Sequence, residues 1–219
     1  MDDLYVVAGL HSWNKEAFEK IKHLPGSWIY VDNKEDLAQA AKWNPRYIFF
    51  LHWSYIVPKE IIDSVECVCF HPSQLPEGRG GSPIQNLILQ GHEYTYLTAF
   101  KMTEEVDAGP IYLVAFLPLN GSLTEIFKRE MELAYDCIKR IIYYQPIPTA
   151  QDGMVSSFKR RTPDQSEITE VKSTKQLYDF IRMLDAEDYP HAFIKVGDKA
   201  LEFTDAELTD HLRITVKVK

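Results

Sequence analysis

The feature that most constrains the fold of this chain is a regular alternation of strand-like and helix-like segments in its N-terminal part. Apolar runs of strand length lie at residues 4–10, 27–31, 46–53 and 66–70, and segments of helical pattern separate them. This alternation is typical of an α/β domain with a largely parallel sheet. Because ligands of such sheets bind beyond the carboxyl ends of the strands, the polar residues of "LHWS" and "CFHPS" are expected at one site.

The rest of the chain predicts further helices and a boundary between two units. Ser82 is the expected N-cap of one helix, and Ser122 and Glu125 form a capping box at the start of a longer one. The segment "YQPIPTAQDG" is typical of a linker. We therefore expect a main domain at residues 1–150 and a small α+β extension, with one helix and two short strands, at residues 151–219.

Composition narrows the class of protein. Hydrophobic residues make up 45% of the 219 residues and aromatic residues 12%, which is enough for a buried core. The acidic start "MDDLYVVAGL" lacks the basic region of a signal peptide, no apolar run is long enough to cross a bilayer, and the three cysteines are typical of reduced thiols. These features predict a cytoplasmic protein with no membrane partner.

The net charge of −8 bears on the choice of partner. The longest basic cluster is "KRR" at residues 159–161, whereas non-specific nucleic-acid binding needs a row of cations that displaces counterions. The charge pattern therefore disfavours DNA or tRNA as the main partner. It leaves open a small anionic ligand that a few local donors would hold.

Residues 67–88, "CVCFHPSQLPEGRGGSPIQNLI", carry the densest candidate chemistry. Cys67, Cys69 and His71 alternate along a predicted strand, so neighbouring members lie roughly 6.6 Å apart along the chain and point to one face. Zinc ligands lie about 2.3 Å from one ion and must be closer together than that. No second CxxC or HxxxH motif supplies further ligands. We expect no metal site, and Cys67 is expected to be a small core residue.

His71 is the stronger functional candidate in this segment. It ends an apolar strand and is followed by "GRGG" at residues 78–81, which allows the backbone to approach a ligand closely. Free N–H groups at the helix start near Ser82 would attract an anion. From position alone, a structural histidine and a flexible glycine turn explain these residues equally well.

Longer motifs resemble a known family. "FHPSQLPEGRGGSPIQNLILQG" is similar to the HPSLLPxxRGxxPIxxAIxxG segment of the N10-formyltetrahydrofolate-dependent formyltransferases, and "FKMTEEVDAGPIY" resembles that family's second signature. "YIFFLHWSYIVPKEIID" is similar to the preceding strand and turn, and the three matches cover about residues 46–116 in the family's order. The resemblance implies a Rossmann-like, three-layer catalytic domain with a largely parallel sheet, and N10-formyltetrahydrofolate as co-substrate without a metal.

The resemblance also bears on the acceptor of the formyl group. Methionyl-tRNA formyltransferases are longer and need a tRNA-binding surface, and glycinamide ribonucleotide formyltransferases carry a phosphate loop where this chain has "GLHSWNKEAF". The segments "GRGGSPIQNLI" and "FKRRTPDQSEI" instead resemble small sugar-nucleotide N-formyltransferases, including the pseudaminic-acid type. We therefore predict transfer to the amine of a nucleotide-linked amino-deoxy sugar in bacterial-type polysaccharide biosynthesis. By analogy with those enzymes, and from the expected edge strand "RITVKVK", a homodimer is possible.

In this family an Asn-His-Asp trio carries out formyl transfer. By motif, His71 takes the histidine position, as base toward the amine or donor to the oxyanion. Asp107 takes the aspartate position, where it would orient His71 or accept the amine proton. Cys69 stands where the family has asparagine, and a thiol is a weaker donor than an amide. We expect an active enzyme that tolerates Cys69.

The resemblance implies two binding regions. The pterin of the co-substrate is expected against the backbone of two segments that contain His52, Trp53, Ser54 and Ile56, and Glu104, Val106 and Asp107. The nucleotide-sugar side is expected at Ser73, Arg79, Gly80, Gly81 and Ser82. Core packing explains Trp53 and Ile56 equally well, and a surface salt bridge explains Arg79 equally well.

Two alternatives stay open from the sequence. The first is a formyltransferase that acts on glycinamide ribonucleotide or on another amine, which a panel of acceptors would separate. The second, suggested by Cys69, is a catalytically inactive folate- or nucleotide-binding protein, which would bind folate without turnover.

Overall fold

A computed structural model describes residues 3–219 of the chain. The strands are β1 Leu4–Gly9, β2 Ser27–Val31, β3 Tyr47–Leu51, β4 Cys67–His71, β5 Arg79–Gly80, β6 Tyr94–Lys101, β7 Ile111–Pro118, β8 Ser157–Phe158, β9 Ala192–Val196, β10 Lys199–Leu208 and β11 Leu212–Val218. The helices are α1 Ser12–Ile21, α2 Lys34–Ala41, α3 Lys59–Ser64, α4 Pro83–Leu89, α5 Leu123–Tyr144 and α6 Thr174–Arg182, with a 3₁₀ turn at Pro163–Ser166.

The main element is a six-stranded sheet in the order β2-β1-β3-β4-β6-β7. The first four strands pair in parallel, and β6 and β7 add an antiparallel edge. All five residues of β3 are buried, because the sheet is covered on both faces at its centre. The predicted α/β class with a largely parallel sheet is confirmed.

Two apolar cores lie on opposite faces of this sheet. Phe49 packs in the larger core with residues of α1 and α5, whereas its neighbour Phe50 packs in the smaller core with residues of α2 and α3. Successive side chains of a strand point to opposite faces, so one apolar run supplies both cores. Helices α1 and α5 on one face, the sheet, and helices α2 and α3 on the other face form the three layers that the family resemblance implies.

The start of α4 differs from the sequence expectation. Ser82 has the left-handed backbone angles φ 52° and ψ 47°, and its side chain does not cap the helix. Its hydroxyl accepts a hydrogen bond from the backbone N–H of Arg161 instead, so tertiary contact has taken the place of local capping. At α5, by contrast, the expected capping box between Ser122 and Glu125 is present.

The C-terminal segment contains more sheet than the two short strands expected. β9, β10 and β11 form an antiparallel three-stranded sheet, and α6 packs against β10. β8 pairs with β5, which ties residues 157–158 to the glycine-rich segment of the main domain. A boundary near residue 150 stays a prediction. Within residues 3–219, no helix combines the length and apolar character needed to cross a membrane.

Candidate active site

A cavity of about 360 Å³ lies next to the carboxyl ends of β3 and β4. Residues of four segments at the strand ends, 52–57, 70–72, 80–85 and 102–107, form most of its wall. This is the edge at which an open α/β sheet binds ligands, because the strands end there and the following loops diverge. The polar ends of "LHWS" and "CFHPS" meet at this edge, as the sequence predicts.

His71 ends β4 and is nearly buried, with 6% of its surface exposed. Its Nε2 atom lies 2.8 Å from the carbonyl oxygen of Gly78, and its Nδ1 atom lies 3.6 Å from Oδ2 of Asp107. A carbonyl can only accept a hydrogen bond, so Nε2 carries a proton and Nδ1 is the ring's basic atom. Once Nδ1 takes up a proton, the Asp107 carboxylate stabilises the resulting cation.

The loop that carries Asp107 is held in an uncommon conformation. Asp107 has a φ of 54°, in the left-handed region that side chains other than glycine rarely occupy. Its Oδ2 atom accepts a hydrogen bond of 2.8 Å from the backbone N–H of Gly80, and its carbonyl accepts one of 2.8 Å from Gln151. A residue in this uncommon backbone conformation persists only where its surroundings hold it there. The contacts with Gly80 and Gln151 hold Asp107 with its carboxylate directed towards His71.

Cys69 lies two residues before His71 on the same strand and lines the cavity. Burial, followed by the charge of Asp107, raises the pKa of its thiol well above the usual range. The thiol is therefore neutral at physiological pH and is neither a nucleophile nor an anionic ligand. Cys67 is 1% exposed, as expected of a core residue. Within residues 3–219, no group of three or more histidine, cysteine or acidic side chains is arranged to hold a metal.

The residues predicted for the pterin side all line the cavity. They are His52, Trp53, Ser54, Ile56, Glu104, Val106 and Asp107. Ile56 is 81% exposed and Val106 56% exposed, so two apolar side chains stand uncovered at the cavity. Trp53 packs against the smaller core and has an edge-to-face contact with Phe50.

The residues predicted for the acceptor side divide into two groups. Gly80, Gly81 and Ser82 line the cavity, whereas Ser73 and Arg79 do not. Arg79 donates to Gln151 at 2.8 Å and to Glu105 at 2.9 Å. The Ser73 hydroxyl donates to the carbonyl of Glu77 at 2.7 Å. The Ser73 hydroxyl and the Arg79 guanidinium are therefore engaged in contacts that hold the glycine-rich loop.

Four cavity residues lie outside the motifs that predict the site, namely His11, Phe127, Arg160 and Tyr189. His11 stacks on Trp13 at 4.3 Å, and burial lowers the pKa of its imidazole. Arg160 and Tyr189 belong to the C-terminal segment and reach the cavity by tertiary packing. The arginine pair at residues 160–161 was a visible signal, but nothing local indicates which arginine faces the cavity.

Two family profiles match the sequence. The profile described as "Formyl transferase" matches residues 22–132, and the profile of the methionyl-tRNA formyltransferase C-terminal domain matches residues 163–219. Among curated proteins, the methionyl-tRNA formyltransferase of Wolinella succinogenes is 27% identical over 182 residues, which are 79% of this chain and 58% of that protein. That of Campylobacter jejuni strain RM1221 is 27% identical over 191 residues, 86% and 61% of the two chains. The chain thus spans about three fifths of the length of these relatives.

Solved structures extend the comparison. A structure described as methionyl-tRNA formyltransferase from Clostridium thermocellum has a TM-score of 0.94 and 39% identity, and the match covers 99% of this chain and 98% of that one. A sugar N-formyltransferase from a Shewanella species has a TM-score of 0.71 and 16% identity, covering 94% and 99% of the two chains. HypX from Aquifex aeolicus in complex with tetrahydrofolic acid has a TM-score of 0.75 and 18% identity, covering 94% and 38%. At 16% and 18% identity, the likeness to the sugar N-formyltransferase and to HypX is one of fold alone. By its profile match and its 39%-identical relative, this chain belongs to the formyl transferase family.

Proposed function

We propose that this protein transfers a formyl group from N10-formyltetrahydrofolate to the amino group of a nucleotide-linked amino-deoxy sugar. The observation that carries the proposal is the geometry of His71. Its Nε2–H is held by the carbonyl of Gly78, and its basic Nδ1 lies 3.6 Å from the Asp107 carboxylate at the cavity. A base of this kind suits an acceptor that must lose a proton before it attacks.

The proposed transfer has a balanced course. The amine gives a proton to Nδ1 of His71, its nitrogen forms a bond to the formyl carbon, and the bond between that carbon and the N10 nitrogen breaks. The protonated His71 then returns a proton to the leaving nitrogen, while Asp107 stabilises the imidazolium between these steps. The Nδ1–H group can also donate a hydrogen bond to the formyl oxygen as negative charge develops on it. The neutral Cys69 thiol is only a weak donor to that oxygen.

The co-substrate side of the proposal rests on the exposed apolar residues of the cavity. Ile56 and Val106 are 81% and 56% exposed, and a flat heterocycle would cover them there. Bound at this side, N10-formyltetrahydrofolate would supply the activated formyl group. HypX, a protein of the same fold, has been solved in complex with tetrahydrofolic acid, which supports this choice.

The acceptor has two candidates. A nucleotide-linked sugar is favoured over tRNA because the net charge of −8 offers no row of cations for a polynucleotide, whereas Arg160, the one lysine or arginine among the described residues at the cavity wall, provides a local donor for a small phosphate group. Methionyl-tRNA is the second candidate, because the curated relatives and the 39%-identical structure carry that enzyme's name. If neither the nucleotide-linked sugar nor methionyl-tRNA is formylated, the protein acts on a different amine or binds folate without turnover.

The experiment is an incubation with N10-formyltetrahydrofolate and a panel of nucleotide-linked 3- and 4-amino-6-deoxy sugars, with charged initiator methionyl-tRNA in parallel. Mass spectrometry would detect the mass gain of one formyl group. We expect a formylated sugar nucleotide, and turnover reduced about 10²- to 10⁴-fold in His71→Ala and Asp107→Asn.

His92→Ala is the matched control, because His92 is an exposed histidine away from the cavity wall. It should retain full turnover. Formylation of the tRNA alone would replace the sugar as acceptor, and formylation that survives in both site variants would remove His71 and Asp107 from the mechanism.

A further inference from the structure

The carboxylate of Glu130, on α5, is buried without a well-aligned hydrogen-bond donor. Its side chain is 0% exposed, and neither carboxylate oxygen accepts a hydrogen bond from residues 3–219. The nearest charged partner is His52, whose Nε2 lies 3.0 Å from Oε2 of Glu130, at ion-pair distance but without hydrogen-bond geometry. A buried carboxylate that lacks compensation is strongly unfavourable, so its presence calls for a reason.

His52 is prevented from neutralising this carboxylate. The indole N–H of Trp13 donates to Nδ1 of His52 at 2.7 Å, and the Asn14 amide lies 3.4 Å from the same atom. An indole nitrogen can only donate, so Nδ1 must keep its lone pair and the ring proton lies on Nε2, facing Glu130. With Glu130 ionised, the pair of Glu130 and His52 carries one net negative charge.

This charge lies directly behind the cavity wall. His52 follows β3, has a left-handed φ of 48°, and lines the cavity with Phe127 packed against its ring at 4.7 Å. Burial, then Asp107 and Glu130, raise the pKa of the Cys69 thiol, and burial, then Glu130, raise the pKa of Tyr189 to about 12. Glu130 therefore lies close enough to Cys69 and Tyr189, which line the cavity, for a charge on its carboxylate to act on both.

The charges around this part of the cavity are mostly negative. Asp107 supplies a second carboxylate, and Glu104 and Glu105 lie on the same loop. Arg160, the single lysine or arginine at the described wall, is itself exposed to solvent. A cationic group entering the cavity would therefore be attracted, and a neutral group of the same shape would not.

We propose that Glu130, acting through His52, makes the cavity selective for an acceptor whose amino group arrives as an ammonium ion. The inference rests on the proposed function only in taking the acceptor to be an amine. Glu130 is a positioning residue, since His52 stands between it and the cavity. The ammonium first loses one proton to water, and the neutral amine that remains then gives its second proton to Nδ1 of His71 as it attacks, in the course described above.

The test is a binding measurement that needs no formyl donor. Cyclohexylammonium and cyclohexanol share a ring and differ in the charged group, and each is titrated into the protein at pH 7 and constant ionic strength. The Trp13 indole N–H resonance in ¹H–¹⁵N spectra reports binding at the His52 contact. We expect the ammonium to bind at least ten times more tightly than the alcohol in the unmodified protein.

Glu130→Gln keeps the side-chain shape and removes the charge, so it should abolish most of this preference with an unchanged or higher Tm. Glu132→Gln is the matched control, because Glu132 lies on the same helix but is exposed and paired with Lys20. It removes the same net charge and should keep the preference. Trp13→Phe is a second variant: it frees Nδ1 of His52 for protonation, so it should also lower the preference.

The tautomer gives a readout that a purely structural pair would not alter. The ¹⁵N shifts of the His52 ring should report a proton on Nε2 alone in the unmodified protein. Equal affinity for the two probes, including no binding of either, or full preference in Glu130→Gln, would overturn the proposal. A preference for the ammonium together with no formyl transfer to any amine would retain this inference and reject the proposed function.

Discussion

At the scale of single residues, two of the three histidines at the cavity, His52 and His71, have different assigned proton positions because their hydrogen-bond partners differ. The Gly78 carbonyl fixes a proton on Nε2 of His71 and leaves Nδ1 free beside Asp107. The Trp13 indole occupies Nδ1 of His52, so that ring has no free basic nitrogen. Of the two, only His71 is therefore equipped to accept a proton from a bound amine.

Cys69 allows a prediction at the same scale. Cys69 is only partly buried, but desolvation and the nearby Asp107 raise the pKa of its thiol, so the reactive thiolate is scarce at pH 8. We expect no alkylation of Cys69 by iodoacetamide in the native protein at pH 8 over a time in which glutathione reacts fully. Peptide mass spectrometry would measure the labelling.

Unfolding in guanidinium chloride is the control, and it should expose the thiol to complete alkylation. Fast native labelling of Cys69 would mean that the thiol is more accessible or more ionised than its surroundings indicate.

At the scale of elements, the turn between β6 and β7 positions Asp107, and Gly109 is its tightest point. A Cβ atom on Gly109 would lie 1.6 Å from the carbonyl oxygen of Lys101, which is a backbone atom that cannot move aside easily. Gln151 donates to the carbonyls of Asp107 and Gly109, both at 2.8 Å, and fixes the loop from the other side.

Gly109→Ala should therefore lower the free energy of unfolding by about 3 kcal/mol and displace Asp107, with loss of formyl transfer. Urea unfolding and turnover would measure the two effects. Gly91→Ala is the comparison variant: Gly91 has a φ of 84° but no atom within 4 Å of an added Cβ. It should cost only about 1 to 2 kcal/mol, from backbone strain, and leave turnover unchanged.

At the scale of the whole molecule, a buried arginine ties the C-terminal segment to the end of the main sheet. Arg182, 5% exposed at the end of α6, bonds to Oδ1 of Asp179 at 2.7 Å and to the carbonyl of Gly121 at 2.9 Å. It also bonds to the carbonyl of Leu119, just after β7. One guanidinium thus connects α6 with the segment that follows the sheet edge.

Arg182→Met should lower the free energy of unfolding by about 3 to 5 kcal/mol, because it leaves Asp179 and two carbonyls buried without this donor. Arg213→Met, at an exposed position on β11, should change it by less than about 0.5 kcal/mol. Denaturant unfolding would measure both variants. The double variant Asp179→Ala and Arg182→Met should recover part of the loss, and a loss equal to the sum of the single variants would contradict the pairing.

The sequence by itself determined the parts of this protein that depend on neighbours along the chain. Apolar runs of strand length and helical patterns predict the α/β sheet, because burial on one or both faces of an element requires that periodicity. The motifs that contain His71 and Asp107 predict a shared site, and both residues line one cavity, since each motif includes the strand end or the turn that directs its side chain. The capping box at Ser122 is also predictable from the sequence, because its partner Glu125 lies only three residues further along the chain.

Only the tertiary structure decided which distant side chains complete the cavity. Arg79 bonds to Gln151, 72 residues away, and forms with Glu105 the salt bridge that was one of its two predicted roles. Ser82 accepts from Arg161, 79 residues away, and is not the local helix cap that the sequence suggests. Arg160 and Tyr189 reach the wall, and Glu130 lies behind it, through packing of segments that share no motif. Such contacts depend on how the sheet, α5 and the C-terminal segment meet in space, and no local pattern encodes that arrangement.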